Sequence, residues 1–415
     1  MFEFGRDLRK LFAQARESED LGWIELIGAD LLAAEARREA TDAGRVSCAR
    51  PFETEARAAA LWREHARRTG SPESLDRAER CADSLMRAAL GEGQAVRAAV
   101  EKAQLLMLRF DLCGEPERLD HALGVLAGLS GDRRAGRRSG ATGELASIHA
   151  RLKARKARLS GEASALMDAA ALMDMAQHEA GADDVELRLD RAGLALEAGV
   201  VKRDARLLDQ AGRDLAVLVE AASPDYRPLT RARALALCGA GLSALAAVAD
   251  HAEALDQGRT LFDAAADQFT ADHSPLDWAA IQVLRAVDSA TPLMVLNQAE
   301  SLTQGAGLIL GALARERRVV REIALAEAVR DLAGLDLLED RLLGRLAVAA
   351  PLDWAADQIG LAELALARRR LGGEAPRHLD LILNEAVVTA REMGVPVLAE
   401  RAGRLLWQAG VQASS

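Results

Sequence analysis

Aromatic side chains are scarce in this chain. They make up 3% of 415 residues, with Tyr226 the single tyrosine, and isoleucine occurs only eight times. Strands lean on aromatic and β-branched residues, so this usage excludes a large β-sheet. Cysteine is also sparse. Cys48, Cys81, Cys113 and Cys238 form no Cys-x-x-C pair, and none has a histidine at metal-ligand spacing. That excludes a disulfide framework and a zinc site, and it leads us to expect reduced thiols in a cytoplasmic protein. Met1–Lys10 carries both charge signs and no apolar core, so no signal peptide is expected. The longest apolar stretch, Ala234–Ala249, falls short of the ~20 residues needed to span a bilayer and is expected to be a packed helix. A basic balance is missing too. The formal charge of −10 speaks against a binder of duplex nucleic acid.

Catalytic signatures are likewise missing. The seven histidines include no His-Glu-x-x-His, and no Gly-x-Ser-x-Gly elbow occurs. The glycine-rich Gly131–Ser139 lacks the lysine and the preceding strand of a phosphate loop. No catalytic residue, metal or cofactor is therefore expected.

What is abundant is Ala, Leu, Arg and Glu, the strong helix formers. Leu-Asp steps or close variants recur at Leu75, Leu119, Met167, Leu208, Leu255, Leu296, Leu335 and Leu379, about 43 residues apart on average. Each unit reads as two helices. Glu53–Arg68 is followed by the breaker Thr69-Gly70-Ser71-Pro72, then by a second helix with Leu75, Ala78, Ala82, Leu85 and Ala89 spaced by three and four. The pattern returns as Gln94–Leu112 and Pro116–Leu129. All ten prolines fall at expected helix starts or connections, where the ~3 kcal/mol cost of an interior proline is avoided. Two further segments echo each other closely. Ser274-Pro-Leu-Asp-Trp-Ala-Ala-Ile-Gln282 matches Ala350-Pro-Leu-Asp-Trp-Ala-Ala-Asp-Gln358. In both, proline fixes φ at the helix start and aspartate meets the positive end of the helix dipole.

These starts resemble the tetratricopeptide repeat superfamily, particularly its long-helix bacterial members. The resemblance is closest over Pro275–Leu284 and Pro351–Met393, and it extends over Glu53–Leu129. It implies an all-α fold, an α-solenoid of antiparallel helix pairs with a concave binding face. The 43-residue spacing exceeds the usual 34-residue period, so longer helices or connections are expected. Aligning Trp278 and Trp354 with the family's first helix places Leu276, Ala279, Val283, Ala286 and Val287 on that face. The second unit supplies Leu352, Ala355, Ile359, Ala362 and Glu363. Nine of these ten are apolar, so the expected groove holds an apolar helix, either a partner's or the protein's own.

Three regions follow. Residues 1–50 form an N-terminal cap or docking segment, in which Phe2, Phe4, Leu8, Leu11 and Phe12 stand beside Arg6, Arg9 and Lys10 and offer a membrane or partner contact. Residues 51–394 form about eight divergent repeats. Residues 395–415 form a capping helix and tail. Gly131–Ser160 stands out with nine cations against two carboxylates: Arg133, Arg134, Arg137, Arg138, Arg151, Lys153, Arg155, Lys156 and Arg158. Its first half, to Gly143, is expected to be a loop. Its second half is a helix with Leu145, Ile148, Leu152 and Leu159 as its apolar stripe. The cations serve either as a site for an acidic partner or as counter-charge for the surrounding acidic repeats. The resemblance implies a non-catalytic protein–protein adaptor, scaffold or regulatory protein. An anion- or nucleotide-responsive regulator built on the basic segment is the alternative, and a helical enzyme with an interior pocket is the third reading.

Overall fold

A computed structural model describes residues 21–129, 141–180, 185–286, 291–305, 307–372 and 379–413. Among these the chain is all-α, without strands. A short 3₁₀ helix, Gly22–Leu26, precedes α1 (Ala29–Ala43). The helices α2 (Pro51–Thr69) and α3 (Pro72–Ala88), α4 (Glu92–Cys113) and α5 (Glu117–Ala127), and α6 (Ala141–Ser160) and α7 (Ala163–Ala180) then follow as consecutive pairs. So do α8 (Val185–Lys202) and α9 (Ala205–Ala221), α10 (Pro228–Ala249) and α11 (Ala252–Ala266), and α12 (Pro275–Arg285) and α13 (Leu293–Thr303). The chain continues with α14 (Leu308–Val329) and α15 (Leu332–Leu346), α16 (Pro351–Arg370) and α17 (Leu379–Glu392), then α18 (Pro396–Ala413).

The punctuation follows from local chemistry. Six helices open with proline in the first turn, where a missing N–H costs nothing. The Ser71 hydroxyl caps α3 by accepting from the Ser74 N–H, and the Asp204 carboxylate caps α9 by accepting from Arg206 and Leu207. Gly70 ends α2 at φ 68°, the left-handed conformation that glycine adopts without strain. The helix expected after Gly143 begins earlier, at Ala141, because Ala141-Thr142 continues the helical turn ahead of Gly143.

Packing follows the pairs. All eight Leu-Asp steps lie on the second helix of a pair, α3 through α17, and Leu75, Leu119, Leu208, Leu296 and Leu335 are buried. The first helices also touch one another: α2 meets α4, α4 meets α6, α6 meets α8, and α8 meets α10, with α12, α14 and α16 continuing the row. They are therefore covered on several sides. In α16, eleven of twenty residues are buried. Longer-range contacts bring α2 against α12, α4 against α14, and the 3₁₀ helix against α10. α1 packs on α2 in the same apolar cluster as Trp62, Leu75 and Leu105. Helix α10 is 22 residues long and apolar enough by composition to cross a membrane, yet it packs against α8, α9 and α11. Gly239 of α10 and Gly258 of α11 permit that approach. A Cβ at Gly239 would lie 2.7 Å from the Phe262 ring and 3.0 Å from the Gly258 carbonyl oxygen.

The residues aligned to a concave groove are covered by the protein's own helices, one of the two occupants expected. Leu276, Ala279, Val283, Leu352, Ala355, Ile359 and Ala362 are all buried among the protein's own helices. Leu276 joins the cluster of Trp62, Ala279 and Val283 pack with Ala299 and Ala314, and Leu352, Ala355 and Ile359 pack with Leu383, Leu398 and Leu405. Glu363 is half-buried and accepts from Arg401 of α18 at 2.8 Å. These positions face neighbouring helices because a first helix is flanked by its pair-mate and by the next first helix. Val287 lies outside the described residues, as do Phe2, Phe4, Leu8, Leu11 and Phe12.

Candidate functional site: an arginine-lined interior cavity

On α6, Arg151, Arg155 and Arg158 are separated by four and three residues and share one helical face. On α8, Glu186, Asp190, Gly193 and Glu197 share another in the same way. Packing α6 beside α8 sets these two rows against each other. Arg151 Nε donates to Asp190 at 2.7 Å, and Arg158 Nε donates to both Glu197 oxygens at 2.9 Å. Arg155 is buried and turns to α4, where its Nη2 and Nε donate to Asp111 at 2.5 and 2.9 Å. Across the space, Asp277 of α12 accepts from Arg233 of α10 at 2.8 Å, from the Ser274 hydroxyl at 2.6 Å and from Arg67 of α2 at 3.4 Å.

These helices border a half-open cavity of about 390 Å³. Its wall carries five guanidiniums, from Arg67, Arg151, Arg155, Arg158 and Arg233, and the carboxylates of Glu186, Asp190, Glu197 and Asp277. Its floor is apolar, formed by Leu189, Leu237, Phe269, Ile281 and Leu284. Burial pushes the Asp190 carboxyl up, but Arg151, Arg155 and Arg158 outweigh it and hold it below the ordinary carboxylate range. Asp277 is held well below that range in the same way, by Arg233 and Arg67 against burial. Burial acts against the Arg158 cation, and the Glu197 carboxylate more than restores it. Asp190 and Asp277 are therefore ionised near neutral pH, and the wall is a lattice of opposite charges rather than a bare cationic patch.

The basic segment thus divides. Arg151, Arg155 and Arg158 come together at the cavity. Lys156 pairs with Asp120 of α5, and Lys153 points to solvent. Arg133, Arg134, Arg137 and Arg138 lie outside the described residues. Counter-charge within the fold accounts for four of the five described cations. The sequence reading passed over Arg67, Arg233, Asp111, Asp190, Glu197 and Asp277. A signal for most of them was present: opposite charges one repeat apart. Arg155 and Asp111 are 44 residues apart, Arg233 and Asp277 also 44, and Arg158 and Glu197 39.

Among the described residues, no group of three or more His, Cys, Asp or Glu side chains is arranged to hold a metal. All four cysteines are free thiols, and burial pushes Cys81 and Cys238 up to about 11. No family model matches the chain, and no curated protein matches it either.

Proposed function

We propose that the chain is an α-solenoid of the tetratricopeptide type and acts as a non-catalytic adaptor or regulatory protein. Its partner is a protein whose segment enters the interior cavity between α2, α6, α8, α10 and α12. One observation carries this reading. First helices of successive pairs pack side by side and turn a charge-lined, apolar-floored space inward, between helices that begin 224 residues apart, at Pro51 and Pro275. A segment with both polar and apolar side chains matches such a wall. Each guanidinium is already held by a carboxylate, so an incoming group must exchange into an existing pair. That favours a charged peptide over a simple anion.

The cytoplasm fits the free thiols. The test is affinity capture from native lysate with the immobilised full chain, beside an Arg151→Ala/Arg158→Ala variant. A partner retained by the wild type and lost by the variant, with helical circular dichroism unchanged, supports the proposal. Equal retention by both places the partner elsewhere and overturns it.

A further inference from the structure

A second basic cluster lies outside the interior cavity, on the face formed by α1 and α3. Arg37 of α1 and Arg77 and Arg80 of α3 border an open cavity of about 440 Å³, together with Trp62, Thr41 and Cys81. Arg77 pairs with Glu73 at 2.6 Å and stacks its guanidinium carbon 4.7 Å from the Trp62 ring centroid. Arg37 and Arg80 form no ion pair with any described residue, unlike the guanidiniums of the interior. Glu55 is the carboxylate that acts on Cys81 from α2, and together with burial it keeps that thiol protonated. The cavity therefore presents three planar cations, one of them held by Glu73, around a neutral thiol and the threonine hydroxyl.

We propose that this cleft binds a phosphoryl group. Three features support that chemistry. Guanidinium forks match the oxygens of a phosphate better than a point charge does. The cations come from two helices packed on the common support α2, so their Cα positions are fixed before a ligand arrives. Finally, the partly covered Arg77 is anchored on a buried indole, where the apolar edge strengthens the electrostatic attraction. The Cys81 thiol takes no covalent part, because it remains protonated well above neutral pH.

The test is titration of the full chain with inorganic pyrophosphate, followed by calorimetry and by tryptophan emission, with Trp62→Phe assigning the optical signal. The proposal expects saturable binding. It also expects Arg37→Ala/Arg80→Ala to weaken that binding about tenfold or more, with thermal stability retained because both residues are exposed. Arg213→Ala, an exposed arginine of α9, serves as control and leaves binding intact. A parallel arm uses phosphatidylcholine vesicles with and without phosphatidic acid. Pyrophosphate binding without vesicle binding identifies a soluble phosphorylated ligand, and phosphatidic acid-dependent vesicle binding lost in the double variant identifies a lipid headgroup. Absence of binding in both arms overturns the site. So does binding that the double variant preserves.

Discussion

Arg67 on α2 and Asp277 on α12 meet at 3.4 Å although 210 residues separate them in sequence. Asp277 also holds Arg233, so a single carboxylate joins the first helix pair to the fifth and the sixth. Glu64, held by Arg67 and Arg68, extends the network along α2. Around it, Arg68 is fully buried and donates to the carbonyl oxygens of Ile27 at 2.7 Å and Ile24 at 2.9 Å. Glu25 in turn accepts from the Thr230 N–H at 2.9 Å and its hydroxyl at 2.6 Å. The 3₁₀ segment is thus clasped between α2 and α10 by buried polar groups.

Asp277→Asn is expected to destabilise the fold by roughly 3–5 kcal/mol, because it leaves Arg67 and Arg233 without their shared counter-ion in a largely covered site. Urea unfolding at neutral pH measures this. A loss below about 1 kcal/mol would be the behaviour of an exposed pair and would remove the joint between α2 and α12 as a source of stability.

The same carboxylates fix the direction of the pH dependence. Glu64, Asp190 and Asp277 all lie below their ordinary values, since guanidiniums overcome burial at each. Their contribution is complete above the unfolded carboxylate values near ~4 and is lost as pH falls through the lower folded values. Stability should therefore stay nearly level from neutral pH down to about 5 and decline below ~4. Asp357 acts oppositely. Buried without any exposed surface, its carboxyl is raised despite Arg345, so its contribution weakens as pH rises through its folded value. Urea midpoints across the acid range test the main trend, and Asp277→Asn should flatten the decline.

Arg68→Leu is expected to release the 3₁₀ segment. The two carbonyls it serves lose their donor, and Glu64 loses one of its cations. Hydrogen exchange at residues 22–27 should speed up by at least about tenfold, since each charge-assisted hydrogen bond contributes about 1.5–3 kcal/mol. Unchanged exchange there would show that Trp23 and Ile27 packing and the Glu25–Thr230 hydrogen bonds hold the segment without Arg68.

Two glycine substitutions separate close approach from helix propensity. Gly239→Ala places a methyl within 3.0 Å of backbone and ring atoms, so it should cost about 1–3 kcal/mol by overpacking α10 against α11. Gly212→Ala, mid-helix in α9 with open space around it, should instead stabilise by roughly 0.5–1 kcal/mol. Melting temperatures that moved in the same direction for both would contradict the packing described.

How much was legible in the sequence depended on which layer a helix occupies. The second helices α3 and α9 bury one stripe, Leu75, Ala78, Ala82 and Leu85 in α3, so periodicity revealed both their existence and their inner face. First helices bury residues around most of their circumference, as in α16, where Ala355, Ala356, Asp357, Gln358, Ile359 and Gly360 are consecutive and buried. Such a helix has little amphipathic signal, and that is why the proposed groove positions could not be oriented. Proline and Leu-Asp punctuation survived because it acts locally, at helix starts. The interior ion pairs escape a search for local motifs because their partners lie about 40 residues apart, and 210 apart for Arg67 and Asp277.

Val283→Asp and Ile359→Asp address the last consequence of that crowding. Val283 is 7% exposed and Ile359 is fully buried, each within a cluster of other helices. An aspartate at either site must carry an unpaired charge into an apolar surrounding or take up a proton, and both routes cost several kcal/mol in a fold whose whole stability is on the order of 5–15 kcal/mol. Loss of cooperative unfolding, with exposed apolar surface detected by dye binding, is the expected result for Ile359→Asp. Val283→Asp should be milder, because its small exposure gives the carboxylate a short path to water. If both variants kept wild-type stability, α12 and α16 would be rotated relative to the arrangement described, and the apolar face would be open. The interior cavity offers the contrasting case. Leu237→Asp replaces a half-buried floor residue one helical turn from Arg233, where a new carboxylate finds a cation, so its stability loss should be smaller than that of Ile359→Asp.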